Sequence, residues 1–160
     1  MESSMKKGRL VMMVGVTKSG NSTYAAEFFP NAPKVSLNAL RLSLFSRLGC
    51  SRSEQKTVMI VAKAMVHALF IAGHDTVVLD AMNTKKTHRE DWKNPNVWLR
   101  SFYVMPCDEA LSLRRLEQAA GPSPDQYHAS LIEHLPQLIK NYQPPTKAEL
   151  DPGEQLIMVV

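Results

Sequence analysis

Apolar residues along this chain fall into short unbroken runs separated by stretches of helical periodicity. Residues 9–14 form a continuous apolar run closed by Gly15, the pattern of a strand covered on both faces, and residues 22–29 read as the helix that follows. After Pro30 and Pro33, Lys34–Ser36 is a short strand candidate, and Leu37, Leu40, Leu44 and Leu48 recur at helical spacing. A long helix is expected from Ser53 through Val58, Val61, Met65 and Leu69, closed by Gly73 as its C-terminal cap. His67 is read as a packing residue of that helix. Thr76–Asp80 is a second buried strand, residues 84–92 a polar helix ended by Asn94 and Pro95, and Trp98–Val104 a third strand. An amphipathic helix over 108–118, a helix over 125–141 broken or kinked at Pro136, and a closing strand over 156–160 complete the order. Strands separated by helices pair in parallel through right-handed crossovers. The expected fold class is therefore α/β, a three-layer sandwich around a mostly parallel five-stranded sheet. No repeat or linker divides residues 1–160, so a single domain is expected.

The junction of the first strand and helix carries the chemistry. Gly15, Gly20, Ser22 and Thr23 match the phosphate-loop pattern G-x-x-x-x-G-K-[ST], with Asn21 where the lysine stands. Backbone N–H groups of such a turn, with the helix N-terminus behind them, hold phosphate whatever the side chains are. Thr17, Lys18, Ser19 and Gly20 would line that cradle, and Ser22 would ligate Mg²⁺. Lys18 lies inside the loop and is the candidate to return the displaced ammonium. The plain alternative is a tight strand-to-helix turn that binds nothing. Asp80 ends its strand at the C-terminal edge of the sheet, where ligands of open α/β folds bind. It could hold Mg²⁺ through water, act as a base, or cap the next helix. Arg114 and Arg115 read either as a clamp on phosphate or as an outer helix face. Lys85, Lys86, His88 and Arg89 read either as a solvated face or as the path of a nucleic-acid acceptor.

Composition narrows this picture modestly. A net charge of +4 favours a polyanionic ligand. Cys50 and Cys107 are far apart and lack metal or disulfide spacing, and the scattered histidines have no metal spacing either. The polar stretch 1–9 is no signal peptide, and no window reaches the ~18 apolar residues of a membrane span, so a cytoplasmic setting is expected.

Four segments, in order, resemble the small P-loop kinases related to bacteriophage polynucleotide kinase and the zeta-toxin-like kinases. They are the loop 15–23 with Tyr24 and Ala25 after it; Leu37 to Leu44, in the place of an Asn-Arg-Asp-Asp-x-x-Arg segment; residues 73–83, with Arg89 and Trp92 following as R-x-x-W; and residues 142–146 with the terminal apolar strand. The resemblance implies a P-loop kinase fold, ATP or another NTP with Mg²⁺, and phosphoryl transfer to a hydroxyl of a nucleic acid, nucleoside, nucleotide or hydroxymethylated base. It places Asn38, Arg41, Asn83 and Arg89 on the acceptor side. The departures fall on the chemistry. The loop lysine is Asn21, the acidic residue that takes the acceptor's proton aligns with Asn38, and a lid arginine aligns with Ala119. An amide cannot serve as a general base.

Two readings follow. One is an active kinase in which Lys18, Asp80 and Arg41 are catalytic and Gly15, Thr17, Lys18, Ser19, Gly20, Asn21, Ser22, Thr23 and Arg115 bind the nucleotide. The other is a catalytically inactive relative that binds nucleotide, nucleic acid or a protein through the retained cradle.

Overall fold

The computed structural model describes residues 6–160; the first five residues of the stretch read as lacking a signal peptide lie outside them. The element order is β1 (Gly8–Val14), α1 (Asn21–Phe28), β2 (Lys34–Ser36), α2 (Leu37–Phe45), α3 (Arg52–Ile71), β3 (Thr76–Asp80), α4 (Lys86–Glu90), β4 (Trp98–Val104), α5 (Glu109–Ala120), α6 (Gln126–Lys140), a 3₁₀ turn (Lys147–Glu149) and β5 (Gln155–Met158). The five strands form one sheet in the order β2-β3-β1-β4-β5, every pair parallel. This is the expected α/β sandwich. Its C-terminal edge gathers the loops after β1, β2 and β3.

The unbroken apolar runs are explained by two covered faces. Leu10, Met12 and Val14 point into the larger cluster with Val58, Ala62 and Val66 of α3 and with Trp92, Trp98 and Phe102. Val11 and Met13 point the other way, onto Ala25 of α1 and Val78. Each β1 side chain from Leu10 to Val14 is fully buried, so β1 is the central strand by packing as well as by order.

Several boundaries differ from expectation for local reasons. α3 begins at Arg52, capped by Ser51, rather than at Ser53, because Ser51 accepts from the Glu54 amide while the Glu54 carboxylate accepts from the Ser51 amide, a reciprocal cap. α2 stops at Phe45, before Leu48, on Ser46 in a left-handed conformation (φ 57°). The polar helix is only Lys86–Glu90. α6 runs through Pro136 without a break, its neighbour Leu135 being buried. His67 is exposed, with only its ring edge on Trp98. Among the described residues no helix is long and apolar enough to cross a membrane.

Candidate active site at the sheet edge

The loop after β1 is built by backbone geometry. Lys18 (φ 61°) and Gly20 (φ 104°) both adopt left-handed conformations before α1 starts at Asn21. Gly15 has no room for a side chain, since an added Cβ would lie 2.3 Å from Ser19 Oγ and 2.9 Å from Asn21 Oδ1. The loop thus folds back tightly over its own start, with amides of a helix N-terminus at its mouth.

Three hydrogen bonds stitch this loop to the segment after β3. The Gly15 amide donates to the Met82 carbonyl at 2.9 Å, and Asn83 Nδ2 donates to the Met13 carbonyl at 2.8 Å. Asn21 Nδ2 donates to both the Gly15 and the Ala81 carbonyls, each at 3.2 Å. Asn21 is therefore a neutral brace between the two loops. Ser19 Oγ donates to Asn21 Oδ1 at 3.4 Å.

Ser22 and Asp80 meet across the same edge. Ser22 Oγ donates to Asp80 Oδ2 at 2.6 Å, from the second residue of α1 to the last residue of β3. A hydroxyl and a carboxylate side by side, both oxygen donors, suit a hard divalent cation. Beyond them, Arg115 of α5 reaches the loop, its Nη1 donating to the Lys18 carbonyl at 2.9 Å. Lys18, Ser19, Met105, Pro106, Leu111 and Arg115 help line a cavity of about 250 Å³. Thr17, Lys18, Ser19, Gly20, Ser22 and Thr23 are all at least partly exposed there, whereas Gly15 is buried under the turn.

On the other flank, Ser36 pairs in register with Asp80 and caps α2, accepting from the Ala39 amide. Asn38 and Arg41 lie one turn apart on α2. Arg41 Nη1 donates to Asn38 Oδ1 at 2.6 Å and its Nε to Gln55 Oε1 of α3 at 3.0 Å.

Arg89 is placed differently from the expectation that it contacts an acceptor. Its side chain is fully buried, with Nε and Nη2 on the two carboxylate oxygens of Glu149 at 2.9 and 3.0 Å and Nη1 on the Asn83 carbonyl at 2.9 Å. The reason is the R-x-x-W turn that closes α4 and runs past its end, where Arg89 and Trp92 are both buried. Beside it Arg100, also fully buried, pairs with Glu154 and donates Nη1 to the Arg89 carbonyl at 2.8 Å and Nη2 to the Glu149 carbonyl at 3.1 Å. Burial pushes both glutamates up, but hydrogen bonds from their arginines and from backbone amides outweigh it, leaving each below the usual carboxylate value. His88 on α4 is lowered by burial and by the charge of Lys85, so Lys85 and Lys86 carry the positive charge of that face.

Sequence reasoning missed Gln55, Glu149, Arg100 and Glu154. For Arg100 a signal existed, a charge in the middle of an apolar strand, which demands a buried partner.

No family model and no curated protein sequence matches the chain. Solved structures do. A chain of the Pnkp1/Rnl/Hen1 RNA repair complex superposes with a TM-score of 0.67 at 16% identity, over 95% of this chain and 52% of that one. A sugar kinase from Janibacter sp. HTCC2649 gives 0.61 at 15% identity, over 96% and 85%. Kti12 from Chaetomium thermophilum, solved with ADP-AlF3, gives 0.55 at 14% identity, over 94% and 88%. This chain spans about half the length of the RNA repair chains it matches, 44% in one and 52% in another. At these identities the likeness is one of fold: the chain has a P-loop kinase fold.

Proposed function

We propose that this chain is an NTP-dependent phosphotransferase that moves the γ-phosphoryl group of ATP to an acceptor oxygen held on the α2 side of the sheet edge. The observation that carries the reading is the Ser22–Asp80 contact at 2.6 Å beneath a glycine loop in left-handed geometry. The loop from Gly15 to Thr23 would hold the phosphates through backbone amides, with Thr17, Ser19 and Thr23 hydroxyls at its rim. Lys18 and Arg115, on the cavity side of the loop, supply the cations that Asn21 does not. Ser22 and Asp80 fit Mg²⁺, which when bound neutralises charge developing on the phosphate oxygens. Asn38 and Arg41 lie toward the acceptor, whereas Asn83, expected there too, is buried with its Nδ2 on the Met13 carbonyl and shapes that edge from within. Arg89 acts there only through Asn83, whose carbonyl it holds. A nucleic acid, a nucleoside or a nucleotide each suits this edge, with Lys85 and Lys86 beside it. A hydroxyl acceptor, as the resemblance implies, would require Asp80 as its base.

A second reading, a binding module without transfer, is favoured by one observation, the Asn21 amide bracing Gly15 to Ala81 in the place of a charged lysine. One experiment separates the two. Transfer from γ-labelled ATP with Mg²⁺ is measured over a panel of acceptors for the natural protein, for Lys18→Ala and for Lys18→Ala with Asn21→Lys. The kinase reading expects Lys18→Ala to lower turnover by about 10²–10³-fold, as for loss of one transition-state donor, and Asn21→Lys to recover part of it. Unchanged turnover in Lys18→Ala removes Lys18 from the mechanism. No label in any acceptor, with a thermal shift by ATP retained, leaves the binding module.

A further inference from the structure

Arg41 is held in an unusual way. Its two side-chain partners, Asn38 Oδ1 and Gln55 Oε1, are both neutral amides. Two hydrogen bonds from two helices fix the guanidinium, and neither cancels its charge. Among the described residues Arg41 forms no ion pair; the arginines that do are Arg47, Arg89 and Arg100. Of its five N–H donors, three make no hydrogen bond among the described residues.

Asn38 is oriented by the same contact. Because a guanidinium can only donate, the amide must turn its oxygen to Arg41, which leaves its Nδ2 as a donor unused by that contact. The polar groups that the first turns of α2 offer next to the sheet edge, where Ser36 caps the helix in register with Asp80, are therefore donors and positive charge. Helix α2 (Leu37–Phe45) contains no Asp, Glu or His that could accept a proton. The nearest carboxylate in the strand register, Asp80, already accepts from Ser22 on the phosphate-loop side.

A site with fixed donors, an unquenched cation and no base of its own suits a nucleophile that arrives without a proton. Building on the phosphotransferase reading, we propose that the acceptor is the oxyanion of a phosphate monoester rather than an alcohol. In that reaction an acceptor phosphate oxygen bonds to the γ-phosphorus, the bond from that phosphorus to the β,γ-bridging oxygen breaks, and ADP leaves with the bond's electron pair. The product is the acceptor's diphosphate. ATP⁴⁻ and a monoester dianion give ADP³⁻ and a diphosphate monoester trianion, so no proton is transferred and no base is required. Arg41 and Asn38 offset the repulsion between the two incoming anions, the task that a carboxylate at position 38 would defeat.

The test offers γ-labelled ATP and Mg²⁺ to the natural protein with matched pairs: nucleosides and their 5′-monophosphates, 5′-hydroxyl and 5′-phosphate oligonucleotides, a sugar and its phosphate, and nucleoside 3′-monophosphates with a free 5′-hydroxyl. The members that become labelled identify the source of the phosphate. Label is expected in the phosphate-bearing member as a diphosphate, at least ~10²-fold faster than in its alcohol partner, the scale of a missing general base. Calorimetry with the best monophosphate, ATP absent, gives a second readout: Asn38→Asp is expected to weaken binding at least ~10-fold, because it neutralises Arg41 and repels phosphate. Label on an alcohol oxygen, including the 5′-hydroxyl of the 3′-monophosphates, overturns the inference and leaves the phosphotransferase standing. Unchanged monophosphate binding in Asn38→Asp overturns it as well. Failure to label any acceptor overturns both.

Discussion

Replacing Glu149 by Gln should cost this protein more stability than any surface change near the site. The Arg89 side chain is 0% exposed and that of Glu149 4%, so the pair lies in the interior rather than at a screened surface. Breaking such a pair by removing one charge costs about 3–5 kcal/mol, because the other ion stays buried without its partner. Here Gln keeps one acceptor for Nε or Nη2 and its amide hydrogens face the other guanidinium donor, so nothing in the substitution offsets the lost charge. The bond from the Thr146 amide to the same carboxylate is weakened too. With an unfolding entropy of ~2.1 cal/mol/K per residue, 160 residues give ~0.34 kcal/mol/K, and the loss converts to a fall in Tm of roughly 9–15 °C. The assay is reversible thermal or urea denaturation of natural, Glu149→Gln, Arg89→Met and doubly substituted proteins. The double variant is expected to recover much of the loss, since removing both ions leaves no uncompensated charge. A loss below about 1 kcal/mol in Glu149→Gln would refute the reasoning, for it would mean that water already screens the pair.

Two further outcomes follow from the same geometry. Glu149 and Glu154 have depressed folded values, so the unfolded chain binds more protons than the native one between the two values, and stability rises with pH there. Their contribution is complete above the ordinary value of 4.5 and is lost as pH falls through the folded values; urea midpoints measured from pH 7 to 3 should decline more shallowly in the Glu149→Gln protein, and parallel curves would refute it. Gly15→Ala places a methyl 2.3 Å from Ser19 Oγ and 3.1 Å from Met105 Cβ, and should cut the thermal shift produced by ATP with Mg²⁺ by at least half while the ligand-free Tm moves less than in Glu149→Gln; an intact shift would mean that the loop does not hold the nucleotide.

The parts legible in the sequence were those fixed by local pattern. The apolar runs gave the strands because each lies between two covered faces, and Gly15, Gly20 and Asp80 marked the edge because glycine geometry and strand ends are local features. Arg89 was misjudged because its neighbours Lys85, Lys86 and His88 read as one polar face, whereas the residue that decides its direction, Glu149, lies sixty positions on in the chain. A separation of 54 positions hid Glu154 from Arg100 in the same way. For Asn21 the substitution was plain in the sequence, but its consequence was not. Only the folded chain brings the Ala81 carbonyl, sixty positions away, to the same amide as Gly15.

That amide bears on how the proposed site divides its work. A lysine at position 21 would have to serve two ends, carbonyls of its own loop and the outer phosphates of a ligand, on one flexible stem. Asn21 is too short to reach outward while its Nδ2 lies 3.2 Å from both Gly15 and Ala81 carbonyls, so it fixes loop shape and contributes no charge. Shape is then set before any ligand arrives, by Asn21, by the Gly15–Met82 bond and by Asn83 on Met13. In the proposed site charge would come separately, from Lys18 and Arg115 on the cavity flank and Arg41 on the other, all at least partly exposed. Cations in such positions are screened within a Debye length of about 8 Å at physiological salt, whereas a buried cation is screened far less. In the proposed site, charge at the rim rather than inside the loop would make the phosphate grip dependent on ionic strength and leave the loop's conformation independent of it.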